Sequence, residues 1–170
     1  SGGVLEDDKG SMFGRGVVNY GVNSFITVGG GLEYLSSIPN SPFIPFATVA
    51  IQPFSKMVLN FEYEHNVRAR GLLNYYFRKG AYLEIDYAKY TKGQLAIRFN
   101  GNEERKVKLS VPFKIKKLSG YGKINFQQRV YEEFTYNQFK VVFSGYYENF
   151  NANLTILTNW VSKQTPYSYA

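Results

Sequence analysis

Two carboxylates, Glu62 and Glu64, and the chain's single histidine, His65, stand together in the segment Lys56 to Val67, and they are the residues best spaced for bond chemistry. On an extended strand Glu62 and Glu64 share a face about 7 Å apart, a separation that suits an inverting glycosidase. Any i, i+2 pair passes that test, so the spacing assigns no activity. His65 would serve a hydrolase only if the fold brought it against a serine such as Ser144 and an asparagine. No spacing in the chain requires this, and its parity with Tyr63 beside a turn at Asn66 points to an interfacial position. With no cysteine and one histidine, there is no thiol nucleophile, no disulfide scaffold and no donor set for a transition metal. Glu6-Asp7-Asp8 has too few spaced oxygens for a calcium loop. Val28-Gly29-Gly30-Gly31-Leu32 lacks the Lys-Ser/Thr and the helix of a phosphate cradle. No catalytic residue, metal or cofactor is expected, and the chain does not read as an enzyme.

Charge is the other chemistry on offer. The net charge is +7, and its placement matters more than its size. Glu62 and Glu64, then Arg68, Arg70 and Arg78, then Glu84 and Asp86, then Arg98 alternate in sign over successive segments, which predicts cross-strand ion pairs. Further on, Lys106, Lys108, Lys114, Lys116, Lys123, Arg129 and Lys140 have only Glu132 and Glu133 near them in sequence. If they share one wall they form a cationic strip for anions, acidic polymers or lipopolysaccharide headgroups. Lys106, Lys108, Tyr121 and Lys123 could also share a surface that stacks and neutralises single-stranded nucleic acid. Domains of that kind are shorter, with fewer strands, and no nucleic acid is expected as a partner.

The elements that must position these groups are strands. In Lys56 to Val67 the residues Met57, Leu59, Phe61 and Tyr63 alternate with Lys56, Asn60, Glu62 and Glu64, a two-residue period that places a greasy medium on one side and a wet one on the other. Val107, Leu109, Val111, Phe113 and Ile115 repeat the pattern, as do Phe139, Val141, Phe143 and Tyr147, and then Leu154, Ile156 and Trp160. The spacing predicts strands over 12–21, 24–36, 43–53, 56–66, 69–78, 81–90, 94–100, 105–116, 118–129, 134–147 and 151–162. Turn chemistry separates them at Asn23-Ser24, Pro39 to Pro42, Pro53 to Ser55, Lys79-Gly80, Lys92-Gly93, Asn100 to Asn102 and Asn149 to Asn151.

At 170 residues, with 15 Tyr and 14 Phe, a mean hydropathy of -0.29 and no apolar run near 18 residues, the composition suits an all-β antiparallel transmembrane β-barrel. About 10–12 strands are expected, or a contiguous portion of a larger barrel, with lipid outside and a polar lumen inside. Residues 1–11 are expected as a flexible lead-in, 12–163 as the barrel domain and 164–170 as a C-terminal tail. Ser1-Gly2-Gly3 and the acidic stretch after it do not form a signal peptide, so an outer-membrane location requires one to have been removed. The lumen set is Glu62, Glu64, Arg68, Arg70, Arg78, Glu84, Asp86, Lys106, Lys108, Lys114 and Lys123. The lipid-facing set is Leu59, Phe61, Tyr63, Leu83, Ile85, Leu109, Val111, Phe143, Ile156 and Trp160. Leu95, Ile97 and Phe99 continue that band.

Arg15-Gly16-Val17-Val18-Asn19-Tyr20-Gly21-Val22, followed by Phe25-Ile26-Thr27-Val28-Gly29-Gly30-Gly31-Leu32-Glu33-Tyr34, resembles the strands of fimbrial usher-like outer-membrane proteins. The resemblance covers about the first 35 residues. It implies a wall of a large barrel that secretes folded subunits, and it assigns no residue a role. The expected function is a pore, or part of a protein-translocation channel, in a Gram-negative outer membrane, with a net basic lumen. The expected partners are membrane lipid or lipopolysaccharide and a translocated polypeptide or other barrel segments. A non-conducting structural anchor, or a soluble all-β ligand- or nucleic-acid-binding module, would explain the same alternation.

Overall fold

The computed structural model describes residues 12–38 and 42–163, so the expected lead-in and tail, and residues 39–41 of one turn, lie outside it. The described chain is a single antiparallel meander of ten strands, each paired with its neighbours in sequence: β1 Phe13–Gly21, β2 Ile26–Leu35, β3 Phe43–Phe54, β4 Met57–Glu64, β5 Arg68–Tyr76, β6 Tyr82–Tyr90, β7 Glu103–Ile115, β8 Leu118–Val130, β9 Phe134–Tyr147 and β10 Phe150–Lys163. No α-helix occurs among the described residues. The sheet is not closed: β1 and β10 each pair on one side only.

Two expectations are corrected. Residues 94–100 are not a strand, despite the alternation of Leu95, Ile97 and Phe99. Gly93 takes a left-handed backbone (φ 73°), and the Gln94 side chain then bonds the Ile97 carbonyl (2.7 Å), the Phe99 carbonyl (3.1 Å) and the Ile97 N–H (2.8 Å). A side chain that satisfies the local backbone competes with a ladder, and residues 91–102 become the long β6–β7 connection. Leu95 is exposed, while Ala96 and Ile97 pack on Leu35, Ile44 and Val67. Phe99 packs at a tilt against both Tyr90 and Tyr131. The second correction concerns the break at Pro53: β3 runs through it to Phe54, with a register shift between Ile51 and Phe54, because a proline without an N–H is tolerated where the ladder is already interrupted.

Connections alternate between two ends. β1–β2, β3–β4, β5–β6, β7–β8 and β9–β10 close by short turns at one end, and the longer 91–102 segment lies at the other. Asn23 accepts from the Phe25 and Ile26 N–H groups, both at 2.8 Å, to shape the first turn. Lys117 and Glu148 strap two adjacent turns together through an ion pair.

The ends are staggered. The register row through Ile26, Ile51, Leu59, Leu73, Ile85, Val107, Phe126, Phe139 and Thr158 starts at the turn end of β2 and finishes well inside β10. A step of roughly eight residues over eight strands slopes the turn edge by about 35° against the rows, and a step of roughly four slopes the loop edge by about 20°.

Glycine permits the close approach of β1 and β2. A Cβ on Gly31 would overlap the Gly16 carbonyl oxygen across the pair and press the Phe46 ring. Gly31→Val is therefore expected to lower stability by about 2–4 kcal/mol, read as a lower urea midpoint with an unchanged slope. Gly122→Ala, where a Cβ meets nothing within 4 Å, is the benign comparison.

Candidate functional site

Directly paired residues share a face in an antiparallel sheet, so the register sorts every strand residue onto one of two sides. Glu62, Glu64, Arg68, Arg70, Glu84, Asp86, Lys106, Lys108, Lys114 and Lys123 all fall on one side. Leu59, Phe61, Tyr63, Leu83, Ile85, Leu109, Val111, Phe143, Ile156 and Trp160 all fall on the other. Arg78 is the exception. β5 stops at Tyr76, and Arg78 sits in a 3₁₀ turn, Arg78–Gly80, where Lys79 and Gly80 adopt positive φ and turn the chain off the wall. Arg98 likewise lies in the 91–102 connection rather than on a strand.

The polar side is the sheltered one, the reverse of a water-soluble core. Glu33 and Glu64 are each 1% exposed and Asp86 is buried, while Phe61 is 49%, Phe143 42% and Leu154 57% exposed. Only six described hydrophobic side chains are buried. The total surface, 11,898 Å², compares with about 8,500 Å² expected of a compact chain of this mass.

Burial of the carboxylates is balanced by ion pairs that cross the sheet as a belt. Arg15 on β1 meets Glu33 on β2 at 2.8 Å and lies 4.4 Å from the Phe46 ring centroid on β3. Arg68 bridges Glu62 and Glu64, both at 2.9 Å. Arg70 takes Asp86 through two parallel hydrogen bonds of 2.9 and 2.7 Å, the planar fork geometry that guanidinium supplies and ammonium does not. Lys108 reaches Glu84 at 2.7 Å, and the Tyr82 hydroxyl lies 2.8 Å from the same carboxylate. Glu104 ends the belt, held by Lys106 (2.7 Å), Arg129 (3.0 Å) and Gln127 (2.7 Å). The belt's six cations, Arg15, Arg68, Arg70, Lys106, Lys108 and Arg129, match six carboxylates, Glu33, Glu62, Glu64, Glu84, Asp86 and Glu104.

This pairing revises the expected cationic strip. Lys106, Lys108 and Arg129 are neutralised, and Glu104, at the same parity as Lys106, is the group that sequence reading passed over. Lys114, Lys123 and Lys140 remain exposed and have no ion pair among the described residues. Arg15 and Glu33 were also missed as a site. Their signal was available: both share a face with Asn19 in the first hairpin.

The apolar side has limits. On β7 it runs from Val107 to Ile115, on β8 from Leu118 to Phe126 and on β9 from Phe139 to Tyr147. Beyond it, toward the loop end, comes a polar row: Arg105 bonds Glu103 (2.7 Å) and Gln128 (3.1 Å), and Gln128 bonds the buried Asn137 (2.8 Å). Eight residues of strand are about 26 Å long, and the edge slopes of about 20–35° project this to about 22–25 Å. Aromatic rings gather near both margins. Phe54, Tyr75 and Phe77 cluster toward the turns, and Tyr34 with Phe43 and Tyr63 with His65 toward the loops.

The enzyme constellations do not assemble. His65 lies in the exposed β4–β5 connection at the loop end, whereas Ser144 is on β9 toward the turn end and donates to Asn153 at 2.6 Å. Glu62 and Glu64 are both engaged by Arg68. In the loops, Lys92 is paired with Glu132, whose hydrogen bond raises the Lys92 pKa. No group of three metal-ligating side chains occurs among the described residues. No family model, curated protein or solved structure matches the chain.

Proposed function

We propose that this sheet is the wall of an outer-membrane β-barrel, with lipid against the Phe61 side and the ion belt facing a polar lumen, acting as a pore or as part of a translocation channel. The observation that carries the reading is the apolar band. It is about 22–25 Å high, ends in a polar row and is flanked by rings, close to the roughly 25 Å apolar band of a bacterial barrel. The staggered ends support it, since barrel strands tilt by about 35–45°. An apolar face this extensive needs a cover of lipid or protein, and the loose resemblance of the first hairpin to usher strands agrees with lipid.

The two open edges leave two ways to complete the wall. An even number of strands lets β1 meet β10 antiparallel, or both edges pair with other strands of a larger barrel. The ion belt favours a second reading in the first case. A closed barrel of about ten strands has a lumen largely filled by side chains, and a neutralised, cross-bonded belt would then make it a non-conducting anchor rather than a pore.

Trp160, the only tryptophan, lies on the apolar side of β10 and reports the cover directly. In vesicles of bromine-labelled phosphatidylcholine its emission is expected to fall at least twofold relative to unlabelled lipid. Full emission in labelled lipid, with the chain monodisperse in water without detergent, would refute the membrane reading.

A further inference from the structure

β8, β9 and β10 contain no aspartate or glutamate; Arg129 borrows Glu104 from β7, and Lys123 and Lys140 have no carboxylate partner among the described residues. Lys123 pairs with Val142 in the β8–β9 register and Lys140 lies two residues along, so the two are diagonal neighbours on one face. Both are exposed. The Lys123 ammonium sits 4.6 Å from the Tyr121 ring centroid, a contact that holds a cation in place without cancelling its charge. Lys114 continues the line on β7, and along the strands these charges recur at intervals of about 7–13 Å. The neutral groups around Lys140 are equally uncommitted: Asn125, Gln138, Thr155 and Asn159 share its face, and none makes a side-chain hydrogen bond among the described residues.

We propose that the polar face of β7–β10 is a binding track for a linear acidic polysaccharide, a chain of hydroxylated rings in which carboxylates recur at intervals. A nucleic-acid duplex would present a charge about every 3.4 Å per strand, far denser than the lysines here. Free amides and hydroxyls between sparse cations suit a ligand with many hydroxyls for each charge, amides being able to donate and accept at once. The β1–β6 side cannot compete, because the cations there that face the lumen are held by carboxylates. The proposal deepens the lumen reading and rests on it to the extent that this face is wet.

The test is calorimetric titration of the detergent-solubilised chain with polyuronate oligomers and, separately, with dextran oligomers of the same length. Polyuronate is expected to bind, with affinity falling as salt is added, and dextran is not. Lys123→Gln/Lys140→Gln should weaken polyuronate binding at least tenfold. The charge-matched Lys56→Gln/Lys79→Gln pair, in the turns, should change it less than twofold. Absence of polyuronate binding, equal binding of dextran, equal losses in the two variant pairs, or tighter binding of inorganic polyphosphate would each overturn the proposal. The two readings fail separately: a quenched Trp160 with no polyuronate binding removes the track alone, and binding with an unquenched Trp160 removes the bilayer alone.

Discussion

Arg68→Ala is expected to destabilise the folded sheet by about 3–5 kcal/mol, because it strands two carboxylates in a sheltered site. Arg68 is the only group of the belt that holds two acids of one strand, and one of them, Glu64, is almost wholly buried. Without the guanidinium, Glu62 and Glu64 face each other at i, i+2 with like charge and little water. Restoring neutrality should restore stability. Adding Glu64→Gln to Arg68→Ala is expected to return about half the loss, a coupling that a double-mutant cycle reads directly. The measurement is the urea midpoint of refolding into detergent micelles. A single-mutant loss below about 1 kcal/mol, typical of exposed ion pairs, would mean that the belt is an ordinary solvated surface.

The second large effect concerns the opposite side. Val111→Lys is expected to cost about 2–4 kcal/mol of folding in vesicles, the penalty for a lysine at the bilayer midplane on a barrel's outer face. Val111 is exposed opposite Gly122, midway between Val107 and Ile115 in the apolar band. Thr27→Lys, exposed on the polar side of β2, is expected to cost less than about 0.5 kcal/mol. The readout is the fraction of chain that reaches the compact, heat-modifiable form on a gel after refolding into phosphatidylcholine vesicles. Equal behaviour of the two lysines would remove the distinction between the faces on which the membrane reading stands.

The strands were legible because a period of two is a local property. Lys56 to Val67 needs no partner to declare which of its side chains share a side, and the register then had only to keep that parity. Residues 94–100 defeated the same logic. Leu95, Ile97 and Phe99 alternate correctly, but Gln94 closes the segment on itself and Ala96 finds a pocket made by β2, β3 and the β4–β5 turn. Neither event has a periodic signal. Arg78 was misplaced because strand ends depend on where a positive φ is tolerated, and Lys79 adopts one without being glycine. The charge pattern was half legible. Alternating signs on successive strands announced Arg68–Glu64 and Arg70–Asp86, whereas the pairing of Arg129 with Glu104 joins groups 25 residues apart, and only a known register brings them together. What separates the free lysines from the committed ones is therefore a property of the assembled sheet, not of any window of sequence.

The unpaired flank of β10 carries a cost in handling. Fourteen residues from Phe150 to Lys163 offer their outward N–H and C=O groups with no proline, no bulge and no charge before the final lysine, the devices by which sheet margins usually repel strangers. Such a flank is adhesive: in water it zips onto any extended segment it meets, its own kind included. Left unsealed, that margin is expected to drive self-association of the purified chain.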